Sequence, residues 1–513
     1  MELFLLLILK LYFSYEEKKL SVESNLYTNT KEVISKVAPE VTEIIEQELK
    51  DQRSYLKMIA SENYCSPAVM AAQATVLTDK YSEGFSGHRY YSGCDNIDKL
   101  ESLGEEYACK VFGAEHAYLQ PSTGSDCNLM AYEAILKVRV IDACFKTLQS
   151  QYSEEFCNTH GLKYDPNSVP KTLNDLTRQQ WNVIREECRK QKLLGMNYYS
   201  GGHLTHGYRQ NISAQLFDTF SYDVGEDGLL NYDSIEEMAM AIKPLILLAG
   251  YSAYPRKVDF ERFRQIADKC GAVLMVDMAH FAGLVAGGVF TGKYNPIPYA
   301  DIVTTTTHKT FRGPRGGMIF CKDWLNDAVH NSCPTCHGGQ LPQILAAKVV
   351  ALKEAMAPEY KEYAQQIVKN SQALANSLMK EGIKVQTGGT DNHIVLIDVS
   401  TLGLNGRQAE YALRECHITT NRNALPNDPN GPWYTSGIRL GTAALTTLGM
   451  KEIEMEIIGR YISSILKSAE PHIVNGKTSK NKVDMSKAAK WQNTKAVTDL
   501  ISSFPAYKEL TEV

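Results

Sequence analysis

The chain has 513 residues, of which 44% are hydrophobic and 22% charged, which describes a globular protein with a large core or two to three domains and excludes a disordered chain. Its formal net charge is −5 and its pI is near 6.2, so the chain has no overall basic field for nucleic acid or an anionic membrane. We therefore expect a small-molecule partner.

The N-terminus is apolar, reading MELFLLLILKLYF, but it does not have the pattern of a signal peptide. It has no basic n-region or small-residue cleavage site, Lys10 interrupts it, and it is too short to span a bilayer. We expect a dispensable extension or a packed helix, and no later segment reaches transmembrane length. The twelve scattered cysteines favour reduced thiols and a cytoplasmic location over a disulfide framework.

The first half of the chain contains two predicted helices and one irregular segment. Apolar residues at helical spacing predict an amphipathic helix over residues 31–52, and LMAYEAILKV predicts a second helix. Residues 138–195 are rich in charge and in Asn, Gln and Cys, which predicts an inserted surface excursion. Within it we expect one helix that begins near Thr172 or Asn174.

The second half reads as strands followed by helices. Four short apolar runs, 245–250, 272–277, 300–307 and 317–321, are typical of strands buried on both faces of a mostly parallel sheet. Catalytic groups should then cluster at the strand ends. After Pro342 the pattern predicts two helices, then HIVLIDV and SGIRLGT as strands of a smaller α+β unit, and finally a polar linker and an amphipathic helix.

These patterns predict five parts of the chain, with the main boundary near 340–355. They are an N-terminal extension (1–30), a helical arm (31–60), a large domain with the insertion (61–345), a small α+β domain (346–475) and a C-terminal linker with a helix (476–513).

One lysine stands out in TTTTHKTFRGPRGG, residues 304–317. Lys309 follows an apolar strand, with hydroxyl side chains before it and glycines after it, so its ammonium can be desolvated and its pKa lowered, as a Schiff-base lysine requires. A lone lysine here would more simply extend from a strand end to solvent. Asp277, at the end of the preceding apolar run, changes that balance because a carboxylate there can keep a pyridinium nitrogen protonated.

Three further stretches suit a cofactor that has a pyridinium ring and a phosphate, although each has a simpler structural explanation. PSTGSDCN (121–128) leads into a helix and could hold a phosphate dianion, or be an ordinary N-cap. His203 in GGHLTHG could stack on a flat ring, or be a core histidine. Arg439, in an apolar strand without an adjacent acidic residue, suits a substrate carboxylate.

From about residue 31 to 475 the chain resembles the serine hydroxymethyltransferases. The matching blocks occur in the same order: LKMIASENYCSP, LTDKYSEGFSGHRYYSGCDNID, GGHLTHG, VDMAHFAGLVAGG, TTTTHKTFRGPRGG, GGTDNH and TSGIRLGT. The resemblance implies a fold-type I, aspartate-aminotransferase-like α/β fold with helices on both faces of the sheet. It also implies pyridoxal 5'-phosphate as cofactor and reversible transfer of the serine hydroxymethyl carbon to tetrahydrofolate, giving glycine and 5,10-methylenetetrahydrofolate.

The resemblance also assigns roles to residues of this sequence. The catalytic set it implies is Lys309, Glu83, Tyr81 and His308. The implied cofactor-binding set is Ser122, Thr123, Gly124, Ser125, His203, Ser252, Asp277, His280, Thr306, Lys309, Gly338 and Gly339. Substrate binding is implied for Ser61, Tyr91 and Arg439, and folate binding for Glu83, Tyr90, Leu204 and Asn423. No metal is expected.

The resemblance implies a homodimer with shared active sites, with a tetramer as the larger alternative. A related aldolase or racemase without folate is the alternative function, but it would not need the YSEG and RYYSG blocks. A catalytically silent scaffold would be expected to lose a key residue such as Lys309 or Glu83, and none is lost.

Two features depart from the family pattern. Where the family reads PGxQGGP, this chain has CPTCHGGQLP (333–342), which puts a phosphate contact across the subunit interface in doubt. Its C-x-x-C-H string formally matches a c-type haem attachment motif, but we predict neither haem nor zinc from one short match. The second departure is the 138–195 insertion, which could alter a folate entrance, although surface decoration is the expected role.

Overall fold

A computed structural model describes residues 27–474, 476–508 and 510. The apolar N-terminal segment, residues 1–13, lies outside this range. None of the helices within it combines the length and apolar character that a bilayer-spanning helix needs.

The helices follow one another along the chain as α1 (27–35), α2 (Pro39–Ser54), α3 (Pro67–Gln73), α4 (Asp95–Phe112), α5 (Gly124–Leu136), α6 (Asp142–Ser150), α7 (Glu154–Thr159), α8 (Arg178–Arg189), α9 (Ser213–Leu216), α10 (Tyr232–Ile242), α11 (Phe260–Cys270), α12 (Ala282–Ala286), α13 (Asp323–Cys336), α14 (Pro342–Ala355), α15 (Pro358–Lys380), α16 (Gly406–Glu415), α17 (Gly431–Tyr434), α18 (Ala443–Thr447), α19 (Glu452–Lys467) and α20 (Lys487–Ser502).

The strands are β1 (Leu56–Lys57), β2 (Gly84–Phe85), β3 (His88–Arg89), β4 (His116–Tyr118), β5 (Lys192–Met196), β6 (Asp218–Tyr222), β7 (Ile246–Gly250), β8 (Val273–Asp277), β9 (Ile302–Thr306), β10 (Gly317–Cys321), β11 (Lys384–Val385), β12 (Ile394–Asp398), β13 (Ile418–Thr419), β14 (Asn421–Asn423), β15 (Gly437–Gly441), β16 (Glu470–Val474) and β17 (Lys477–Asp484).

A seven-stranded sheet forms the centre of the large part of the molecule. Its order is β4-β10-β9-β8-β7-β5-β6, and β10 alone runs antiparallel to its neighbours. Strands β7 to β10 are buried along their whole length, as their unbroken apolar runs predicted. The predicted α/β fold with a mostly parallel central sheet is confirmed.

The parallel strands bring their carboxyl ends to one edge of this sheet. Gly250 at the end of β7 lies beside Asp277 at the end of β8, and Asp277 lies beside Thr304 of β9. Side chains and loops that follow these strands therefore meet at the same place, which is where open α/β sheets bind ligands.

A second, smaller sheet lies later in the chain. It is antiparallel, in the order β11-β12-β15-β14, and α15 and α19 pack together beside it. Its core includes Val395, Ile438 and Leu440 and is separate from the core of the large sheet. The short pair β1–β13 ties the segment after α2 to this part, with Leu56 beside Ile418.

Four sequence predictions were wrong in their boundaries or type. The helix expected over 31–52 is two helices, because Pro39 begins α2 at the position where its missing N–H costs nothing. Helix α8 begins after Thr177, whose side chain accepts from the Gln180 amide, rather than near Thr172 or Asn174. The polar linker expected near the C-terminus is strand β17, paired with β16.

The fourth error concerns the end of the insertion. Residues 192–195 lie in β5, an interior strand of the large sheet that pairs with β6 and β7. Their apolar character, LLG after one lysine, is that of a buried strand, so the excursion ends before residue 192. The rest of the segment forms α6, α7 and α8.

Lys348 connects α14 to the sheet edge and gives a test of this packing. Its buried Nζ donates to the carbonyls of Leu119, Pro121 and Gly317, at 2.6, 2.7 and 3.0 Å. We expect Lys348→Met to lower the free energy of unfolding by about 3 kcal/mol, because buried carbonyls lose a charged donor. Urea unfolding measures this. Lys353→Met, on the exposed side of the same helix, is the control, and equal losses in the two variants would contradict the assignment.

Candidate active site

A cavity of about 370 Å³ opens at the carboxyl edge of the large sheet. It is lined by twelve residues that the sequence predicted: Ser61, Thr123, Gly124, Ser125, His203, Ser252, Asp277, His280, Thr306, His308, Lys309 and Arg439. Most of these residues come from the ends of β7, β8 and β9, the start of α5 and strand β15 of the smaller sheet. Ser61 follows β1, and His203 lies in the loop after β5. The cavity thus lies where the two sheets meet.

Asp277 is the buried carboxylate of this cavity. Its Oδ2 accepts from Asn128 Nδ2 at 2.9 Å and from His206 Nε2 at 3.1 Å, and its Oδ1 accepts from the Ala279 amide at 3.0 Å. Burial alone would raise the pKa of Asp277. The hydrogen bond from His206, the electrostatic influence of His206 and His203, and the hydrogen bond from Asn128 outweigh burial and hold the pKa well below its usual range. Three of about four lone-pair positions are taken, which leaves one for a donor in the cavity.

The tautomer of His206 follows from its neighbours. The His203 amide donates to His206 Nδ1 at 3.3 Å, so Nδ1 is the acceptor and Nε2 carries the hydrogen that Asp277 receives. His206 is almost fully buried. Its Nε2 hydrogen bond therefore stabilises the ionised Asp277 carboxylate.

His203 is held as a neutral ring at the cavity wall. The Thr205 amide donates to its Nδ1 at 3.2 Å, and the Thr205 hydroxyl lies 2.7 Å from the same nitrogen. Burial lowers the pKa of His203 to about 4. A neutral imidazole with a fixed tautomer can lie against a flat aromatic ring without charge repulsion.

Lys309 lies three residues beyond the end of β9 and its side chain is almost fully buried. Burial lowers the pKa of its ammonium to about 8, the Asp277 charge opposes this, and the charges of Arg439 and Arg315 add to it. The backbone there is fixed, because Asn63 Nδ2 donates to the Lys309 carbonyl at 2.9 Å. The amine is consequently both positioned and partly neutral near pH 8.

Two more histidines contribute unprotonated rings. Burial lowers the pKa of His308 to about 3, and its buried Nδ1 has no hydrogen-bond partner within the described residues. His280 Nδ1 lies 3.3 Å from His393 Nε2, and burial places the pKa of His280 well below its usual range. An unpartnered buried nitrogen at a cavity wall indicates a ligand that supplies the missing contact.

The turn before α5 has the features of an anion cradle. Thr123 caps the helix by accepting from the Asp126 amide at 3.1 Å, and Thr123, Gly124 and Ser125 line the cavity. A Cβ on Gly124 would lie 2.7 Å from Thr306 Cγ2, so only glycine fits between the turn and β9. Hydroxyls and a helix N-terminus at one spot suit a phosphate dianion.

Arg439 of β15 extends into the cavity from the smaller sheet. Its Nε donates to Asn421 Oδ1 at 3.0 Å and its Nη1 donates to the Ser252 carbonyl at 2.6 Å. Burial lowers its pKa to about 10, and no ion pair within the described residues includes it. Since a guanidinium has five N–H donors, three remain for a carboxylate in the cavity.

Nine residues implied by the resemblance do not line this cavity. Ser122, the first residue of the turn, contacts His337 instead. The others are Tyr81, Glu83, Tyr90, Tyr91, Leu204, Gly338, Gly339 and Asn423. Tyr81, Tyr90 and Tyr91 are at least half exposed, and Tyr81 Oη donates to Glu83 at 3.3 Å. The neighbouring carboxylate of Glu83 raises the pKa of Tyr81.

Sequence reasoning missed several residues of the site. His206 and Asn128 hold Asp277, and Arg315 and Glu62 line the cavity. Two of them carried a local signal: His206 lies three residues after His203 in one block, and Asn128 lies one helical turn after Gly124. Arg315 stands in the same block as the lysine, but only the fold shows that it faces the cavity.

The residues present fit pyridoxal phosphate. An amine of lowered pKa, a carboxylate with one free acceptor position and a hydroxyl-rich helix N-terminus match its aldehyde, ring nitrogen and phosphate. A neutral histidine ring completes the set.

The lowered pKa of Lys309 gives a pH prediction. Only the neutral amine attacks an aldehyde, so the rate at which cofactor-stripped protein forms a C=N bond with pyridoxal should rise through pH 8 and then level off. Absorbance stopped flow measures the rate. Lys309→Ala should lose the fast phase. A rate still rising steadily at pH 10, as for an ordinary lysine, would contradict the assignment.

Comparison with known proteins gives a consistent match. A family profile described as serine hydroxymethyltransferase matches residues 34–163 and 140–462. A serine hydroxymethyltransferase of Treponema pallidum is 49% identical over 488 residues, covering 95% of this chain and 82% of the relative. One from Salinispora tropica is 48% identical over 489 residues, covering 95% of this chain and 98% of the relative. With matches of this identity over nearly its whole length, the chain belongs to the serine hydroxymethyltransferase family.

Proposed function

We propose that this protein catalyses the family's reaction at the cavity around Lys309. The reaction moves the hydroxymethyl carbon of serine reversibly to tetrahydrofolate, giving glycine and 5,10-methylenetetrahydrofolate. The observation that carries the proposal is the convergence of Lys309, Asp277 and Arg439 on one cavity from three separate strands or strand ends. These supply an amine, a ring partner and a carboxylate partner for one small amino acid and its cofactor.

The cofactor end of the cavity is assigned to seven side chains and one turn. Pyridoxal phosphate, when bound, supplies an electron sink for the bonds around the amino-acid Cα. Asp277 would hold a proton at the ring nitrogen through its remaining acceptor position, and His203 would supply a neutral ring for stacking. Ser252, His280 and Thr306 would contact the ring, and residues 122–125 would hold the phosphate. Lys309 presents the amine, and His308 beside it helps to position it.

The amino-acid end of the cavity is assigned to Arg439 and Ser61. Arg439 is anchored by two hydrogen bonds that aim its remaining donors into the cavity, which suits a bidentate contact with the serine carboxylate. Ser61 lines the same space. Tyr91 is assigned to this carboxylate as well, from a second subunit.

The functional unit is a homodimer in which each subunit completes the other's site. Glu83, the proposed acid or base, and Tyr81 lie on a loop outside their own chain's cavity. Exposed apolar side chains support a second copy: Val37 of the α1–α2 connection is 88% exposed and Ile44 of α2 is 68% exposed. Tyr90, Leu204 and Asn423 are proposed to contact the folate, and Gly338 and Gly339 the cofactor phosphate.

Two coarser proposals accompany this function. The protein works in the cytoplasm, which the eleven free cysteines described by the structure support. The boundary between the large and the small domain lies at the end of α14, near residue 355, because α14 still packs on α3 and α4 while α15 packs on α19. The small domain carries Arg439, so movement of one domain against the other would change the distance between Arg439 and Lys309.

A folate-dependence assay tests the function and separates it from the alternative aldolase or racemase. Serine should be converted to glycine rapidly only with tetrahydrofolate present. Arg439→Lys should raise the KM for serine about 10- to 100-fold, because a lysine cannot make the bidentate contact.

Arg422→Lys is the matched control for Arg439→Lys. Arg422 lies on the neighbouring strand β14, pairs with Glu410 and does not line the cavity. Its substitution should leave the KM for serine within about twofold. Equal serine cleavage with and without tetrahydrofolate would favour the alternative function. An unchanged KM for serine in Arg439→Lys would show that another residue binds the serine carboxylate.

Subunit complementation tests the shared site. Glu83→Ala and Lys309→Ala homodimers should each be inactive, but a mixed dimer has one site with both lesions and one with neither. Random mixing of equal amounts gives half mixed dimers with half their sites intact, so about a quarter of wild-type activity should return. Serine-to-glycine transfer is measured after co-expression of two tagged variants and tandem purification. Purified mixed dimers without activity would place Glu83 in its own subunit's site.

A further inference from the structure

His337 lies in the segment 333–342, which departs from the family pattern, and it contacts the turn before α5, residues 122–125. Its Nε2 lies 2.7 Å from Ser122 Oγ, although the two residues are 215 positions apart in sequence. Ser122 begins the turn whose next three residues line the cavity. The family pattern PGxQGGP has glutamine before its paired glycines, where this chain has His337 before Gly338 and Gly339.

The direction of this hydrogen bond decides what Ser122 can offer to a ligand. A serine hydroxyl has one hydrogen, so if it donates to His337 it can only accept from other groups. If His337 Nε2–H donates instead, the Ser122 hydrogen is free for another acceptor. Phosphate oxygens of a dianion are acceptors only, so a bound phosphate favours the second arrangement.

The surroundings of His337 favour a neutral ring with one hydrogen. Burial lowers the pKa of His337, the Asp126 carboxylate opposes this and the Lys348 ammonium adds to it. Lys348 is itself held by backbone carbonyls of residues 119, 121 and 317, so it is fixed beside the turn. A neutral His337 therefore acts through the placement of a single N–H.

We propose that His337 is a positioning residue for the cofactor phosphate: it donates to Ser122 and so commits the Ser122 hydroxyl hydrogen to the phosphate. This rests on the proposed function and extends it, because it makes recognition of the phosphate depend on the segment that departs from the family pattern. The imidazole N–H donates a hydrogen bond to Ser122 that a glutamine side-chain N–H can also donate. Replacement by glutamine should then preserve the effect, and replacement by leucine should remove it.

The test compares two aldehydes that differ only in the phosphate. Dissociation constants of pyridoxal phosphate and pyridoxal are measured by absorbance titration of full-length, cofactor-stripped protein. We expect His337→Leu to raise the dissociation constant of pyridoxal phosphate about tenfold. The dissociation constant of pyridoxal should stay within about twofold of the wild-type value. His337→Gln should keep pyridoxal phosphate within about threefold of wild type. Circular dichroism melting checks that each variant is folded.

A double-mutant cycle with Ser122→Ala separates positioning from general damage. If His337 acts through Ser122, adding His337→Leu to the Ser122→Ala variant should raise the dissociation constant of pyridoxal phosphate by less than about twofold. Equal weakening of both aldehydes, no weakening in His337→Leu, or full additivity in the cycle would overturn the proposal. Wild-type protein that binds no pyridoxal phosphate would overturn the proposed function itself, a separate outcome.

Discussion

The buried carboxylate of Asp277 is the constraint around which the site is built. An ionised carboxylate at this depth is costly unless donors surround it. The donors come from three places: Asn128 of α5, His206 of the 201–207 loop and the Ala279 amide just after β8. Satisfying this one group therefore fixes helix α5, the 201–207 loop and the sheet edge relative to each other.

The same arrangement leaves the cavity with more positive than negative side chains. Lys309, Arg315 and Arg439 face Asp277 and Glu62 there, and Asp277 is already surrounded by donors. The two arginine charges help to lower the pKa of Lys309. An anionic phosphate and a substrate carboxylate would relieve this mutual repulsion, so the charges of the cavity favour a ligand set that carries both groups.

Local patterns predicted the interior better than the periphery. The runs that became β7 to β10 were found because strands buried on both faces carry unbroken apolar sequence. Helix ends were missed where side-chain capping decided them, as at Thr177. The C-terminal strand β17, KTSKNKVD, is largely exposed and polar, so its sequence carries no strand signal and its pairing with β16 decides its structure.

The amino-acid sequence alone determined the α/β class, the lysine, aspartate and arginine of the site, and the family resemblance, because these depend on short runs and fixed motifs. Only the tertiary structure decided which side chains form hydrogen bonds with the residues of the cavity and of the adjoining turn. His206 meets Asp277 across 71 residues and His337 meets Ser122 across 215. Such contacts depend on how loops cross the sheet edge, and a buried charge or hydroxyl selects its partner from whatever the packing brings within hydrogen-bond distance.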